Sequence, residues 1–248
     1  KEAALQLASS LNETEQWDAA DKILDALGAT SEATLERATG LRYKKDYDAA
    51  EEVYSQLLGE ALPVVLHART LLGLGQTQEL LHKKPDAAAT CQQAVDLLRS
   101  LDTPAPNQLL REALETTLRL LADSDPVTAA DYLLELTALT PDTQVELAAR
   151  AGRYFRQGAQ YDRAILAFGQ AESAADHHPL ADDIALETAR TYDAAERYND
   201  AERAYRRMIE LYSGSPLIDQ AREALQFLET HRVIDPATQQ VRLLDLSA

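Results

Sequence analysis

Residues 161–168 read YDRAILAF, and this short segment shows the pattern that decides the fold of the chain. An aromatic residue begins it, alanine follows three positions later, and an apolar pair ends it about one turn after the alanine. Side chains three to four positions apart lie on the same face of an α-helix, so the alanine and the apolar pair form one stripe. The segment predicts an amphipathic helix that packs closely against a neighbour through its alanine.

The same pattern occurs five more times. Proline replaces the aromatic residue in two copies, and the six starting residues lie 30, 38, 41, 35 and 37 positions apart. A second helical stretch precedes these segments and carries a small residue beside a larger one, as at Ala151-Gly152 before Phe155. One such helix hairpin cannot bury its apolar face alone, whereas stacked hairpins share a continuous core. The other copies are WDAADKIL (17–24), YDAAEEVY (47–54), PDAAATCQ (85–92), PVTAADYL (126–133) and YNDAERAY (198–205).

The composition agrees with an all-helical chain and excludes several classes of protein. Alanine and leucine number 43 and 40, against 14 valines and isoleucines together, and this ratio favours helix over strand. A single cysteine in 248 residues excludes a disulfide-built scaffold. The net charge of −17 disfavours nucleic acid or an anionic membrane as a partner, because the protein repels phosphate groups. No apolar run approaches the ~20 residues of a membrane span, so we predict no direct membrane insertion.

The repeats predict one array over residues 1–232, followed by an irregular tail or linker over 233–248. Within this array, periodicity and helix breakers predict thirteen helices. Residues 216–230 form the last of them, with Ala221 and Leu228 on one face and no partner helix after it, which is typical of the closing helix of a solenoid. The predicted repeats lie near 1–30, 31–62, 63–106, 107–141, 142–179 and 180–215.

The paired segments resemble the tetratricopeptide repeat (TPR) family. The resemblance is strongest in the fifth and sixth repeats, at Ala151, Gly152, Phe155, Tyr161, Ala164, Phe168 and Ala171, then Ala189, Tyr192, Tyr198, Ala201 and Tyr205. It implies an all-α, right-handed α-solenoid of about six helix hairpins with a C-terminal capping helix. It also implies that the first helix of each hairpin lines a concave groove in which partner peptides bind. Another two-helix solenoid is the alternative, and it predicts nearly the same architecture.

A second similarity concerns residues 212–216, which read YSGSP. This segment looks like the linker between repeats in bacterial cell-envelope TPR proteins. The similarity favours the bacterial cell envelope or periplasm over the cytoplasm as the compartment.

No constellation of residues in the sequence indicates catalysis or metal binding. The five histidines lack the spacing of a helical zinc site, and Cys91 has no histidine or cysteine near it in sequence. The stretch Gly73-Leu74-Gly75 lacks the strand, lysine and hydroxyl residue of a phosphate loop, so close helix packing explains it. We therefore predict no catalytic residue, no metal, no cofactor and no enzymatic activity.

A basic patch marks the predicted groove in the fifth and sixth repeats. Arg150, Arg153 and Arg156 recur every three residues, and Arg190 lies on the next first helix. Arginine presents a rigid fork of donors that matches a carboxylate, so the patch predicts a site for an acidic peptide or a C-terminal carboxylate. The alternative is that the arginines pair with carboxylates on a solvated face, namely Glu146, Asp183, Glu187 and Asp193.

Apolar and mixed residues complete the predicted groove. The first helix of the fourth repeat is apolar on nearly two faces, and we place Leu114, Leu118 and Leu121 on its inner side. Either this surface holds an apolar partner helix, or another part of the protein covers it. Arg42 and Tyr43 are the predicted contacts in the second repeat.

These observations predict a noncatalytic scaffold that binds a peptide or helix of a partner protein, with an acidic segment as a candidate ligand. The alternative is a structural or self-association module that spaces the domains of a larger protein. In both cases the partner is a protein or peptide and not a nucleic acid.

Overall fold

The computed structural model describes residues 1–101, 107–234 and 241–243, with the backbone alone in the two strands near the end. In these residues thirteen α-helices follow one another, and a 3-10 turn, Pro141–Thr143, precedes the ninth. The protein has an all-α helical repeat fold, as predicted, apart from those two strands. The helices are α1 (Glu2–Glu13), α2 (Trp17–Leu27), α3 (Ser31–Tyr43), α4 (Tyr47–Leu58), α5 (Val64–Leu80), α6 (Lys84–Arg99), α7 (Asn107–Leu121), α8 (Pro126–Leu139), α9 (Gln144–Gln157), α10 (Tyr161–Ala174), α11 (Ala181–Ala194), α12 (Tyr198–Leu211) and α13 (Ile218–His231).

Two compact units, Lys1–Leu121 and Ala122–Ala248, make up the chain. Within the first unit, each helix from α1 to α7 packs on the next along the chain, and α1 also packs on α3. Within the second, the same holds from α8 to α13. The unit boundary falls inside the predicted fourth repeat, 107–141, so α7 belongs to the first unit and α8 to the second.

The turn inside five of the predicted hairpins has one shared conformation. One residue has a positive φ between 55° and 65°, and the next residue donates its N–H to the carbonyl five positions earlier. In the first hairpin, for example, Gln16 N lies 2.8 Å from Leu11 O. These hydrogen bonds satisfy carbonyl groups that the ending helix leaves free, and they reverse the chain. The five residues with positive φ are Glu15, Lys45, His82, Ala159 and Glu196.

The repeated alanine is buried in all six copies of the sequence pattern, which confirms the predicted stripe. A larger residue is buried four positions later in five copies, and Cys91 is the buried residue in the third copy. Small and large side chains thus alternate along the helix faces that meet in the core. The alanines are Ala20, Ala50, Ala88, Ala129, Ala164 and Ala201, and the larger residues are Leu24, Tyr54, Leu133, Phe168 and Tyr205.

Two glycines allow the closest helix contacts on aromatic rings. A Cβ atom added to Gly152 in α9 would lie 2.8 Å from the ring of Phe168 in α10. A Cβ atom added to Gly73 in α5 would lie 2.6–2.8 Å from the ring of Tyr54 in α4. Both rings are fully buried in a densely packed core, so neither has room to move aside. The two helix pairs therefore approach to a distance that only glycine permits.

Two short strands lie at the end of the described part of the chain, where the sequence predicts an irregular tail or linker over 233–248. β1 (Arg232–Ile234) runs antiparallel to β2 (Val241–Leu243), with Ile234 opposite Val241. The physical reason lies in composition, because β-branched residues in both segments favour extended backbone. The rest of the predicted tail, and residues 102–106 at the end of the predicted third repeat, lie outside the described residues.

We expect the Gly152→Ala variant to be less stable than the wild type by about 1–3 kcal/mol. Overpacking against a buried ring costs more than the helix propensity of alanine contributes. Gly169→Ala is the matched control, because Gly169 lies inside α10 and nothing lies within 4 Å of an added Cβ. This control should keep or slightly raise stability. Urea unfolding followed by circular dichroism measures both, and equal stability of the two variants would contradict the close contact.

Candidate functional site

The structure brings three of the predicted arginines together around two carboxylates. Arg153 of α9 forms an ion pair with Asp183 of α11. Arg156 Nη2 lies 2.5 Å from Glu187 Oε2, and Arg190 Nη1 lies 3.1 Å from Glu187 Oε1. Glu187 is 7% exposed and lies between two guanidinium groups. We call the four predicted arginines the arginine face; they are Arg150, Arg153, Arg156 and Arg190.

The arginine face extends to α13 through Arg190, whose Nη2 donates a hydrogen bond to Gln220 Oε1 at 2.6 Å. The side chains of Arg153, Arg156 and Arg190 are 39%, 30% and 40% exposed, so part of each guanidinium group meets solvent. The Arg153–Asp183 pair, with both side chains more than a third exposed, is of a kind that stabilises a protein by about 0–1 kcal/mol. At Arg153 an incoming carboxylate therefore competes with a weak contact, whereas Arg156 and Arg190 stay paired with the buried Glu187.

Arg150 differs from the other three arginines because it makes no ion pair with any described residue. Its guanidinium carbon lies 5.3 Å from the centre of the Tyr154 ring, and its Nη2 donates to Tyr154 Oη at 3.0 Å. The two residues are one turn apart on α9, so the ring holds the guanidinium in place without neutralising its charge. Sequence reasoning missed the role of Tyr154, although its spacing from Arg150 is a signal for this contact.

Among the described residues, no ion pair joins Glu146 or Asp193, the other carboxylates of the alternative interpretation, to the arginine face. Glu146 Oε1 is 3.2 Å from His178 Nε2. Burial raises the pKa of the Asp193 carboxyl. Burial first, and then the charge of Asp193, raise the pKa of Tyr205 to about 12. Three arginines of the arginine face pair with two carboxylates, and Arg150 pairs with none among the described residues. The four guanidinium groups therefore outnumber the carboxylates paired with them by two, in a protein of net charge −17.

In the first unit, hydrogen bonds link three of the first helices. Arg42 of α3 donates to Gln76 of α5, whose Nε2 donates to Glu112 Oε1 of α7 at 3.1 Å. Tyr43 is 41% exposed, and the Arg42 guanidinium carbon lies 5.5 Å from the centre of its ring. These residues line an open cavity of about 690 Å³. The two predicted contacts, Arg42 and Tyr43, thus share one surface.

The predicted apolar contact surface on α7 is buried, which corrects that prediction. Leu114, Leu118 and Leu121 are 0%, 6% and 7% exposed. The exposed residues of α7 are polar or charged, and Arg119 among them pairs with Glu79 of α5. Packing within the protein covers these three leucines, so they stabilise the core and are not open to a partner.

A buried glutamate in α3 is a feature that sequence reasoning missed. Glu36 is 5% exposed, and its Oε1 lies 3.2 Å from Nη2 of Arg69 in α5. Burial raises the pKa of this carboxyl, and the charge of Arg69 opposes the rise. Glu36 lines a cavity of about 170 Å³ together with Thr39 and Tyr54, whose hydroxyl groups are 3.0 Å apart. No sequence signal marks it, because a lone glutamate in a helix usually indicates an exposed position.

No group of three or more histidine, cysteine, aspartate or glutamate side chains that could hold a metal ion occurs among the described residues. Cys91 is fully buried, and burial raises the pKa of its thiol to about 12. The thiol is therefore inert as a nucleophile near neutral pH. None of the described helices combines the length and the hydropathy that a bilayer crossing requires.

Comparisons with known proteins give matches to structures only, because no family model and no curated protein matches the sequence. Apo RapI matches with a TM-score of 0.51 and 12% identity over 91% of this chain and 67% of RapI. YrrB, described as a TPR protein with an unusual peptide-binding site, matches with a TM-score of 0.51 and 16% identity over 82% of this chain and 97% of YrrB. The C-terminal part of a TPR repeat-containing protein from Cytophaga hutchinsonii matches with a TM-score of 0.50 and 16% identity over 91% of this chain and 88% of that one.

These likenesses concern the fold, since the identities lie between 12% and 16%. The chain has the helical repeat fold of tetratricopeptide-repeat proteins, and the resemblance predicted from the sequence is confirmed at this level.

The raised pKa of Glu36 predicts the sign of a pH effect on stability. A carboxyl with a raised folded-state pKa contributes stability that is fully present below its ordinary value of 4.5 and is lost as pH rises through the folded pKa. The free energy of unfolding of Glu36→Gln minus that of the wild type should therefore increase between about pH 4 and about pH 7. Chemical unfolding of both proteins across this range measures the difference.

Glu32, one turn earlier on α3, is the matched control because its pKa moves the other way. A backbone hydrogen bond, followed by the contact with Lys1, lowers the pKa of this exposed carboxyl. Its stabilisation is present above 4.5 and lost as pH falls through the folded pKa, so the same difference for Glu32→Gln should decrease as pH rises. Equal slopes for the two variants would refute the assignment of Glu36 as a carboxyl destabilised by burial.

Cys91 should react with a disulfide reagent such as DTNB only after unfolding. With a pKa of about 12, about one thiol in ten thousand is ionised at pH 8, and the sulfur is also out of contact with solvent. Absorbance after mixing should show no release of the coloured thiolate of DTNB under native conditions. In denaturant it should show one equivalent per protein chain. Rapid release from the folded protein would contradict both the burial and the inert thiol.

Proposed function

We propose that this protein is a noncatalytic scaffold that holds an acidic segment of a partner protein on its arginine face. The observation that carries the proposal is the charge excess on α9 and α11 of a strongly acidic protein, where three arginines pair with two carboxylates and a fourth, Arg150, pairs with none among the described residues. A local positive patch on an acidic surface attracts an acidic segment to one place and repels it elsewhere.

The arrangement of the four guanidinium groups supports a carboxylate-rich ligand. Arg150 offers donors that no described carboxylate occupies. The exposed pair between Arg153 and Asp183 is of a kind that is weak in solution, so a ligand carboxylate replaces it at little cost. The buried Glu187 forms ion pairs with both Arg156 and Arg190. These pairs restrict the two side chains before binding, so the side chains lose less conformational entropy when a ligand binds.

The fold supports the coarser part of the proposal. YrrB, a TPR protein with a described peptide-binding site, shares the helical repeat architecture, and binding a peptide on first helices is compatible with the surface found here. The similarity of residues 212–216 to a linker of bacterial cell-envelope TPR proteins supports the cell envelope as the proposed setting.

We expect a fluorescein-labelled EEEEEEEE peptide to bind the wild type at low salt, and a QQQQQQQQ peptide to bind much more weakly. In the double variant Arg153→Glu plus Arg190→Glu, the Kd for the glutamate peptide should rise by about tenfold or more, because charge attraction becomes repulsion. Fluorescence anisotropy measures both, and circular dichroism checks the fold. Arg150→Glu is a second test with less risk to the fold, since Arg150 makes no ion pair with any described residue and its hydrogen bond goes to Tyr154 on the same helix.

The matched control is Arg37→Glu plus Arg203→Glu, which makes the same change in net charge on α3 and α12. Arg37 and Arg203 also form exposed ion pairs, with Asp25 and Asp200. The control should change the Kd by less than about twofold. An equal rise in the Kd of both double variants would contradict the proposal, because the net charge of the protein would then explain the weaker binding. A concentration-dependent dimer in light scattering, without peptide binding, would favour the self-association module.

A further inference from the structure

An exposed aromatic stack lies on α13, two turns along the helix from Gln220, the residue that Arg190 contacts. Phe227 is 45% exposed. Its ring stacks on that of His231, with the centroids 4.3 Å apart and the planes at 21°. The core of the unit does not require this ring, because α13 buries Ile218, Ala221 and Leu228 instead.

The position of Phe227 follows from the hydrogen bond that joins α11 to α13. Gln220 is the residue of α13 that Arg190 contacts, at 2.6 Å. Phe227 comes seven residues after Gln220, and residues seven apart lie on the same face of a helix, two turns along. The surface that begins with the arginine face therefore continues along α13 to an aromatic platform formed by Phe227 and His231.

The platform is held in place before any ligand arrives. His231 Nδ1 lies 3.0 Å from the carbonyl oxygen of Phe227 and 2.8 Å from Thr230 Oγ1. The imidazole ring of His231 also stacks on the Phe227 ring. A rigid aromatic group loses little conformational entropy on binding, and aromatic residues together with arginine dominate the energetics of protein interfaces.

We propose that the partner segment carries an aromatic or large aliphatic side chain beside its acidic residues, and that this side chain docks on the Phe227–His231 platform. The inference rests on the proposed function, in which the acidic residues engage Arg190, the arginine that contacts α13 through Gln220. Contact between two apolar groups at the end of a charged surface excludes water from both and adds specificity that charge alone does not give.

Two labelled peptides, EEEEFEEE and EEEEAEEE, test the proposal in a fluorescence anisotropy assay with the full chain. The wild type should bind the phenylalanine peptide about fivefold more tightly than the alanine peptide. In Phe227→Ala this preference should disappear, while the affinity for EEEEAEEE stays within about twofold of the wild type. Leu166→Ala is the matched control, because Leu166 is 69% exposed on α10 and should leave the preference unchanged.

Equal affinity of the wild type for the two peptides would overturn the aromatic platform and leave the acidic-segment proposal standing. A preference for the phenylalanine peptide that persists in Phe227→Ala would likewise overturn the platform and leave the acidic-segment proposal standing. Failure of the wild type to bind either peptide would overturn the proposed function, and the platform with it. Unfolding by heat, followed by circular dichroism, verifies that Phe227→Ala keeps the fold.

Discussion

The contact between Gly152 of α9 and the Phe168 ring of α10 is the constraint on which the second unit depends. Because the ring lies directly against the glycine, this contact fixes which face of α9 points towards α10. In this orientation, the face of α9 that carries Arg150 and Arg153 is in contact with solvent. Gly73 has the corresponding role under a tyrosine ring in the first unit. Core packing therefore determines which charges the surface presents.

The charges follow a second constraint, which is that a buried carboxylate needs partners. Glu187 lies between Arg156 and Arg190 and neutralises one of their two charges, so the group keeps a net positive charge while each guanidinium has a defined position. Screening limits the repulsion from the rest of this acidic protein to about 8 Å at physiological ionic strength. A ligand at the arginine face therefore experiences the local excess of arginine more than the total charge of −17.

Much of the fold was predictable because the information is local. The alanine pattern depends on spacing within a single helix, and it located the second helix of each hairpin correctly. The positive φ of Lys45 and the burial of Glu36 were not predictable, since both depend on contacts between segments that the residue type does not reveal. The burial of Leu118 was not predictable either, because the sequence shows that the residue is apolar but not which segment packs over it. At the site, the arginines were identified from their spacing, whereas Phe227 was missed because it lies on the closing helix, outside the expected groove.

Side-chain NMR of arginine gives the most direct test of the account. The Nε–Hε signals of a ¹⁵N-labelled sample can be followed while the EEEEEEEE peptide is added. The account predicts that the signals of Arg150, Arg153 and Arg190 move in a saturable way, whereas those of Arg163 and Arg203, on α10 and α12, stay in place. Shifts of equal size at all five arginines, or shifts confined to α10 and α12, would contradict it.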